Sequence, residues 1–520
     1  MVIDYEMLVW RQTTQHEWER DLDETERYWE QVGWLHDING RRPFEVTGHV
    51  SLEIETDSTT TEGAEREVHY AMVQAWCAIR QDHPTIASWV DYNFDSDRFT
   101  KKYSAIRNEK ERKEWIRSTL VFIDTHSSGV EFANSDPPTP ELPTMFVVTR
   151  SSVGAESARN TCVRRDLVFR GSHSIIDGTG TLLLLGNFLR HLSQALDRGS
   201  DYSLSPPLDG SETANLSPPY RIAAAVPPSP PSDIQERISL MHEQHMYFGK
   251  GIGFSRLPQL PLSFRNKTTQ VPGKHQRVEI VINQASVAKL LVVCKSLGAT
   301  VTHVFHAAIP LVLRNRLEKP AEPTRLKHVF DLLINERPFC KDPYSTPAHA
   351  VSAYHSGSSR GSTVEIDVPS AASKPSDREG CKEEFLRVLS DVQELYLFVR
   401  NDKQQGQLAP HIWAGFLGGL PKPPKKPLPG PPPREFPSAS MSSLGQVDAI
   451  IPPLLGRIET YRPWVTGDEM SNGYGCFLIT HRGELSLAAA YNDAWHEAQD
   501  VLGFLEECKC LVFEALDIDD

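Results

Sequence analysis

The sequence predicts an α/β protein with mixed sheets (mixed α+β), arranged as two domains. Three observations lead there. At 520 residues the chain exceeds the roughly 100 to 200 residues of one ordinary domain. Strand-like and helix-like patterns intermix without the strict βαβ alternation of a parallel doubly wound sheet. A Pro-, Ser- and Ala-rich stretch over 206–231 interrupts the globular texture near the middle. We therefore expect an N-terminal domain over 1–215, a linker over 216–235 and a C-terminal domain over 236–520. A second Pro-rich run, 420–437, reads as a long surface loop, because proline lacks a backbone donor and fixes φ.

In the first domain, residues 17–34 read as a polar, aromatic-rich helix and 49–55 as a strand. Residues 62–80 read as a helix, since Val68, Met72, Ala75, Trp76 and Ile79 recur at helical spacing. Strands are expected at 86–92, 144–149 and 165–169, the last leading through a Gly-rich turn into a helix at 182–196. In the second domain a strand at 278–282 precedes a helix at 284–297, where Val287, Leu290, Leu291 and Cys294 share a face. Residues 301–313 read as an apolar helix kinked near Pro310. Strands at 329–334, 364–368, 476–481 and 485–491 and a helix at 500–511 complete the pattern.

Composition narrows the function classes. A formal charge of −14 repels nucleic-acid phosphates. Acids at Asp4 and Glu6 stand where a signal peptide carries basic residues, and no apolar run approaches the ~20 residues of a membrane span. A cytoplasmic protein with neither nucleic-acid nor membrane partner is the expectation. The eight cysteines are scattered, and a spacing of two puts Cys508 and Cys510 on opposite helix faces, so reduced thiols are expected.

The segment Arg170-Gly171-Ser172-His173-Ser174-Ile175-Ile176-Asp177-Gly178-Thr179-Gly180 concentrates the chemistry. A strand ends in a turn holding a histidine and, four residues on, an aspartate, with three glycines freeing the backbone. Histidine suits proton transfer near neutrality. Read from these residues alone, the pair serves equally as a loop histidine beside an Asx turn.

This segment resembles the active-site motif of the condensation, chloramphenicol acetyltransferase-like and BAHD acyltransferase superfamily. Other segments resemble the family in the same order. Gln81-Asp82-His83-Pro84 is similar to its early helix ending in His-Pro, and Gly298-Ala299-Thr300 to the turn that opens an apolar helix. Ile334-Asn335-Glu336-Arg337 is similar to its strand ending in Asn-x-Arg, Ser442-Ser443-Leu444-Gly445 to its Ser-x-x-Gly turn, and 485–492 to its last strand. Within the superfamily the chain resembles fungal trichothecene acetyltransferases, the 15-O type most closely. It departs in two places: Ser172 stands where condensation domains carry a second histidine, and the plant-type Asp-Phe-Gly-Trp-Gly turn does not occur.

The resemblance implies two chloramphenicol-acetyltransferase-like domains, each a mixed sheet flanked by helices, with a channel between them. It implies an O-acetyltransferase that uses acetyl-CoA as co-substrate, without metal or prosthetic group, on the C-15 hydroxyl of a trichothecene. The alternatives are a carrier-protein-bound acyl donor, or an inactive member acting as a binding protein. The expected partners are coenzyme A and a small hydroxylated acceptor, and the expected state is a monomer. His173 is then the general base, with Asp177, Gly178 and Arg337 structural; Arg337 is the expected partner of Asp177. Ser443 is the oxyanion candidate, and Lys422, Lys425 and Lys426 are candidate ligands of the coenzyme A phosphates.

Other motifs carry less. Gly357-x-Ser359-x-Gly361 lacks the helix a nucleophile elbow needs after its serine. Gly178-x-Gly180 has Leu183 at the third glycine position of a dinucleotide fingerprint. His303 and His306, one helical turn apart, lack a nearby carboxylate to complete a metal site.

Overall fold

The structure, a computed structural model, describes residues 4–35, 41–150, 162–199, 207–249, 257–330, 332–359, 361–374, 376–426 and 430–519. Position 331 of the expected 329–334 strand, position 360 of the Gly-x-Ser-x-Gly pattern and positions 427–429 of the Pro-rich loop lie outside them.

Two mixed sheets carry the molecule. The first has six strands in the order Leu454–Leu455, Ile458–Gly467, Val46–Glu55, Cys162–Gly171, Thr144–Arg150 and Leu120–Thr125. Its last pair is parallel and the others antiparallel. In Val46–Glu55 the period of two puts Val46, Val50, Leu52 and Ile54 on one face. There they share a core with Val68, Met72, Trp76 and Ile79 of the helix Thr61–Asp82, and with Leu182, Leu185 and Leu189 of Gly178–Arg198. Gly48 lets that last helix approach: a Cβ at this position would collide with the Thr181 methyl. The opposite face, Glu45, Thr47 and His49, is polar yet buried.

The second sheet runs Ala439–Gln446, Tyr474–His481, Glu484–Asn492 and His275–Ile282. Its core is built on Val301–Asn315, which buries Val304, Phe305, Ala308, Ile309 and Val312. Helices Arg378–Asn401 and Ala498–Ala515 flank it. A bend of 92° separates Val301–Asn315 from Gln284–Ser296, and among the described residues no single helix is long and apolar enough to cross a membrane.

The two halves are interlocked. Residues 454–467, late in the chain, belong to the first sheet, where Ile458–Gly467 pairs with Val46–Glu55. The stretch expected as a bare linker is packed: Ser211–Asn215 is a 3₁₀ turn and Tyr220–Ala223 a short helix entered from Pro219, where a missing N–H costs nothing. Tyr220, Ala223 and Val226 are buried beside Cys340, Tyr354 and Ala409.

Three local expectations are corrected. Within 17–34, Glu17–Asp21 is a strand of a four-stranded sheet with Arg11–Thr14, Arg98–Ser104 and Trp89–Asn93. The helix begins only at Glu24, where the Asp23 carboxylate caps it by accepting from the Glu26 N–H at 3.1 Å. Within 86–92, Pro84–Ala87 is a 3₁₀ turn and the strand starts at Trp89. Around 329–334, one strand ends at Phe330 and a two-residue strand, Ile334–Asn335, follows. Helices Arg378–Asn401 and Gln405–Leu417 were not anticipated.

Candidate active site

Strand Cys162–Gly171 delivers the chain to the turn holding His173, and Asp177 then caps helix Gly178–Arg198, accepting from the Gly180 N–H at 2.6 Å. Arg337 Nη1 donates to both oxygens of Asp177, at 2.9 and 2.8 Å, and the Tyr354 N–H adds a bond of 2.8 Å. Burial would push this carboxyl up, but Arg337 overrides it, with His355 helping, and holds it below the usual carboxylate range. Arg337 Nη2 is in turn bound by the Ser352 hydroxyl at 3.1 Å. Asp177 is therefore a joint between the halves, committed to groups of residues 337–354. The glycine this joint requires is Gly180: a Cβ there would lie 2.7 Å from Arg337 Nη2 and closer still to the Ala350 carbonyl. Gly178, expected to be structural, has ordinary room, with Val465 Cγ1 3.6 Å from such a Cβ.

His173 is held by ring contacts. The Trp29 indole lies on it, centroids 3.9 Å apart and planes 6° from parallel, and the His355 ring stands at 4.7 Å. Its Nδ1 is buried without a partner at bonding geometry, so Nε2 is the nitrogen left to meet a ligand. Desolvation depresses the ring to a pKa of about 4, outweighing the opposing pull of Asp177 and of the residue's own carbonyl. At neutral pH the ring is uncharged and able to accept a proton.

His355 also has a defined state. Trp29 Nε1 donates to its Nε2 at 3.1 Å. An indole only donates, so that nitrogen accepts and the neutral ring carries its proton on Nδ1. Nδ1 faces Asp177 Oδ2 at 3.8 Å, too far for a hydrogen bond. Burial lowers this ring to about 3, and neighbouring His173 adds to the effect. Trp413 Nε1 donates to the His355 carbonyl at 2.9 Å, and Tyr28, Phe44 and Phe416 extend an aromatic wall around Trp29 and Trp413.

The helix bearing Trp29 is tied to the motif turn. Glu26 binds Arg20 at 2.6 Å and also binds Lys101; Lys101 Nζ then donates to the Ser174 carbonyl at 2.8 Å. Burial pushes the Glu26 carboxyl up, but these two cations hold it down at about 2. The Ser174 hydroxyl donates to Glu30. Ser172 Oγ lies 3.0 Å from Ser174 Oγ, inside the same network.

The remaining candidates make contacts of their own. Ser443 Oγ lies 2.7 Å from Thr302 Oγ1, in a cavity of about 260 Å³ whose walls include His303, Tyr396 and Arg400 but not His173. Lys422 pairs with Asp97, while Lys425 and Lys426 are exposed on the Pro-rich loop. His303 Nδ1 accepts from the Thr300 N–H at 3.3 Å as a helix cap, and His306 Nδ1 meets the Tyr396 hydroxyl at 2.9 Å. Strand Ser362–Val368 follows Ser359, so the elbow helix is missing there. Sequence reasoning missed Trp29, His355 and Trp413. The aromatic-rich helix was a signal for the first; nothing local marks His355, which lies on a two-residue strand.

No protein-family model matches the sequence. The chain is similar to acetyltransferase pigO of Monascus ruber, 21% identical over 524 residues that cover 98% of this chain and 99% of that protein. Among solved structures it is similar to the TRI3 trichothecene 15-O-acetyltransferase from Fusarium sporotrichioides, with TM-score 0.76, 15% identity and 99% of each chain covered. It is also similar to the first condensation domain of the calcium-dependent antibiotic synthetase, with TM-score 0.57, 14% identity and 98% of each chain covered. The chain thus shares its fold with an O-acetyltransferase and with condensation domains.

Proposed function

We propose that the protein is an O-acetyltransferase that moves an acetyl group from acetyl-CoA to a hydroxyl of a fungal secondary metabolite, with His173 as general base. One observation carries the reading: a neutral imidazole at the end of a motif strand, with Nδ1 buried and Asp177 withdrawn to Arg337. Nε2 takes the acceptor proton as the oxygen attacks the thioester carbonyl. A C–O bond forms, the tetrahedral intermediate collapses with loss of the C–S bond, and the same proton passes to the departing thiolate. No acyl-enzyme is needed. Asp177 does not relay the proton, because its oxygens are taken by Arg337, Tyr354 and Gly180.

The narrower acceptor, the C-15 hydroxyl of a trichothecene, is supported by the fold shared with a trichothecene acetyltransferase. Mass spectrometry of products from hydroxylated fungal metabolites, trichothecene alcohols included, tests both levels. Acetylated product with free acetyl-CoA supports the activity, and product from the C-15 alcohol alone supports the acceptor. Turnover that requires an acyl carrier protein favours the condensation-type alternative, with which the chain also shares its fold. His173→Ala should lower turnover by about 10²- to 10⁴-fold. Full activity in a folded variant removes the general-base assignment.

A further inference from the structure

We propose that Trp29 is a positioning residue of this active site: its indole, oriented by His355, fixes the His173 imidazole face-on and seals that face from water. The inference deepens the general-base reading of His173 and rests on it.

The stack itself is unusual. Aromatic pairs normally settle at ~4.5–7 Å in offset or edge arrangements. Here the centroids are 3.9 Å apart and the planes 6° from parallel. Something beyond mutual attraction holds the rings together, and two devices do so. The first orients the indole in its plane: Trp29 Nε1 donates to His355 Nε2 at 3.1 Å, and the Trp413 indole holds the His355 carbonyl at 2.9 Å. The second prevents the helix from drifting relative to the motif turn. Glu26 and Glu30, four residues apart on the helix that carries Trp29, lie on one side of it, and Glu26 is also three residues before Trp29. Glu26 reaches the Ser174 carbonyl through Lys101, and Glu30 takes the Ser174 hydroxyl directly. Ser174 adjoins His173, so the helix and the base move as one body.

The seal has an electrostatic consequence. Asp177 at the helix cap favours a charged His173 ring, whereas His355 beside it is neutral and Arg337 neutralises Asp177 from the second half. Glu30 and Lys101 act at Ser174. Desolvation outweighs the net attraction and keeps the ring neutral. Without the indole, water reaches one face and the ring is protonated more readily.

The test compares Trp29→Leu, which keeps apolar bulk without a flat face, with Trp29→Phe, which keeps a face but loses the N–H. Two quantities are read in folded enzyme: the titration of His173 by NMR on histidine-labelled protein, and kcat against the acetyl-CoA KM. In Trp29→Leu the His173 titration should rise by about one pH unit or more. kcat should fall ~10- to 100-fold, the effect of a misplaced catalytic group, with the acetyl-CoA KM within about twofold. Trp29→Phe should shift both in the same direction by less, and it carries the test if Trp29→Leu does not fold. An unmoved His173 titration, or a loss confined to KM, overturns the proposal. The titration needs no turnover, so a failed general-base reading, seen as an active His173→Ala variant, remains distinguishable from a failed positioning role.

Discussion

Arg337 grips both oxygens of Asp177 from the far half of the chain, at 2.9 and 2.8 Å, with both side chains almost wholly out of water. The aspartate of the motif is thereby turned away from the histidine four residues before it. In the proposed mechanism, proton transfer and the joining of the halves fall to different residues of one short segment.

Breaking this pair should cost stability on both sides. Removing one partner of a buried ion pair leaves an uncompensated charge, at about 3 to 5 kcal/mol. Asp177→Asn and Arg337→Met should each destabilise by that order, and the double variant by less than their sum. Denaturant titration of the four proteins measures the coupling. Strict additivity would show that the contact contributes nothing as a pair.

The two motif glycines should respond differently to one added methyl. At Gly180 a Cβ meets the Ala350 carbonyl, a backbone atom that cannot swing aside, and Arg337 Nη2 at 2.7 Å. Gly180→Ala should therefore destabilise by about 1 to 3 kcal/mol through overpacking and lower kcat by displacing Arg337. Gly178→Ala, with 3.6 Å to its nearest neighbour, should stay within about 0.5 kcal/mol of the parent. Thermal melts of both variants decide it, and equal losses would refute the close-approach argument.

Acid should unfold the protein through its buried histidines. Burial depresses His83, His173 and His496 to about 4, and His306, His328 and His355 to about 3. The unfolded chain takes up these protons near pH 6.5, the folded one only near 3 to 4, so between those values the unfolded state binds more protons. The contribution is fully present above pH 6.5 and is lost as pH falls towards 4. Four buried carboxyls act oppositely, with Asp23 raised to about 7, Glu45 to about 8, and Glu336 and Glu469 also pushed up by burial. The depressed imidazoles outnumber them, since burial lowers His49, His275, His303, His349 and His481 as well. The melting temperature should fall steadily from pH 6.5 to 4.5. A flat profile there would contradict the burial of these rings.

Much of the fold was legible wherever periodicity coincided with burial. The helix Thr61–Asp82 and strands such as Ser362–Val368 present one clean face to a core, and the pattern alone marks them. Arg378–Asn401 escaped because its apolar positions are diluted among charges, with only five residues buried in 24. The four-stranded sheet near the N-terminus escaped for another reason. Glu17–Asp21 is charged except for Trp18 and takes its place between two strands, the adjacent Arg11–Thr14 and the distant Arg98–Ser104.

The sequence by itself determined the motif: a strand, a glycine-rich turn, a histidine and a capping aspartate are local, and short-range sterics and hydrogen bonding suffice to form them. It also marked the helices on which the two cores are built, Thr61–Asp82 and Val301–Asn315, since apolar periodicity depends on neighbouring residues alone. Only the tertiary structure decided what surrounds His173. Trp29 and His355 lie far apart in the chain, and their meeting over His173 depends on docking a helix against a two-residue strand. No local pattern encodes such contacts, because the free energy that fixes them comes from burying surfaces remote in sequence.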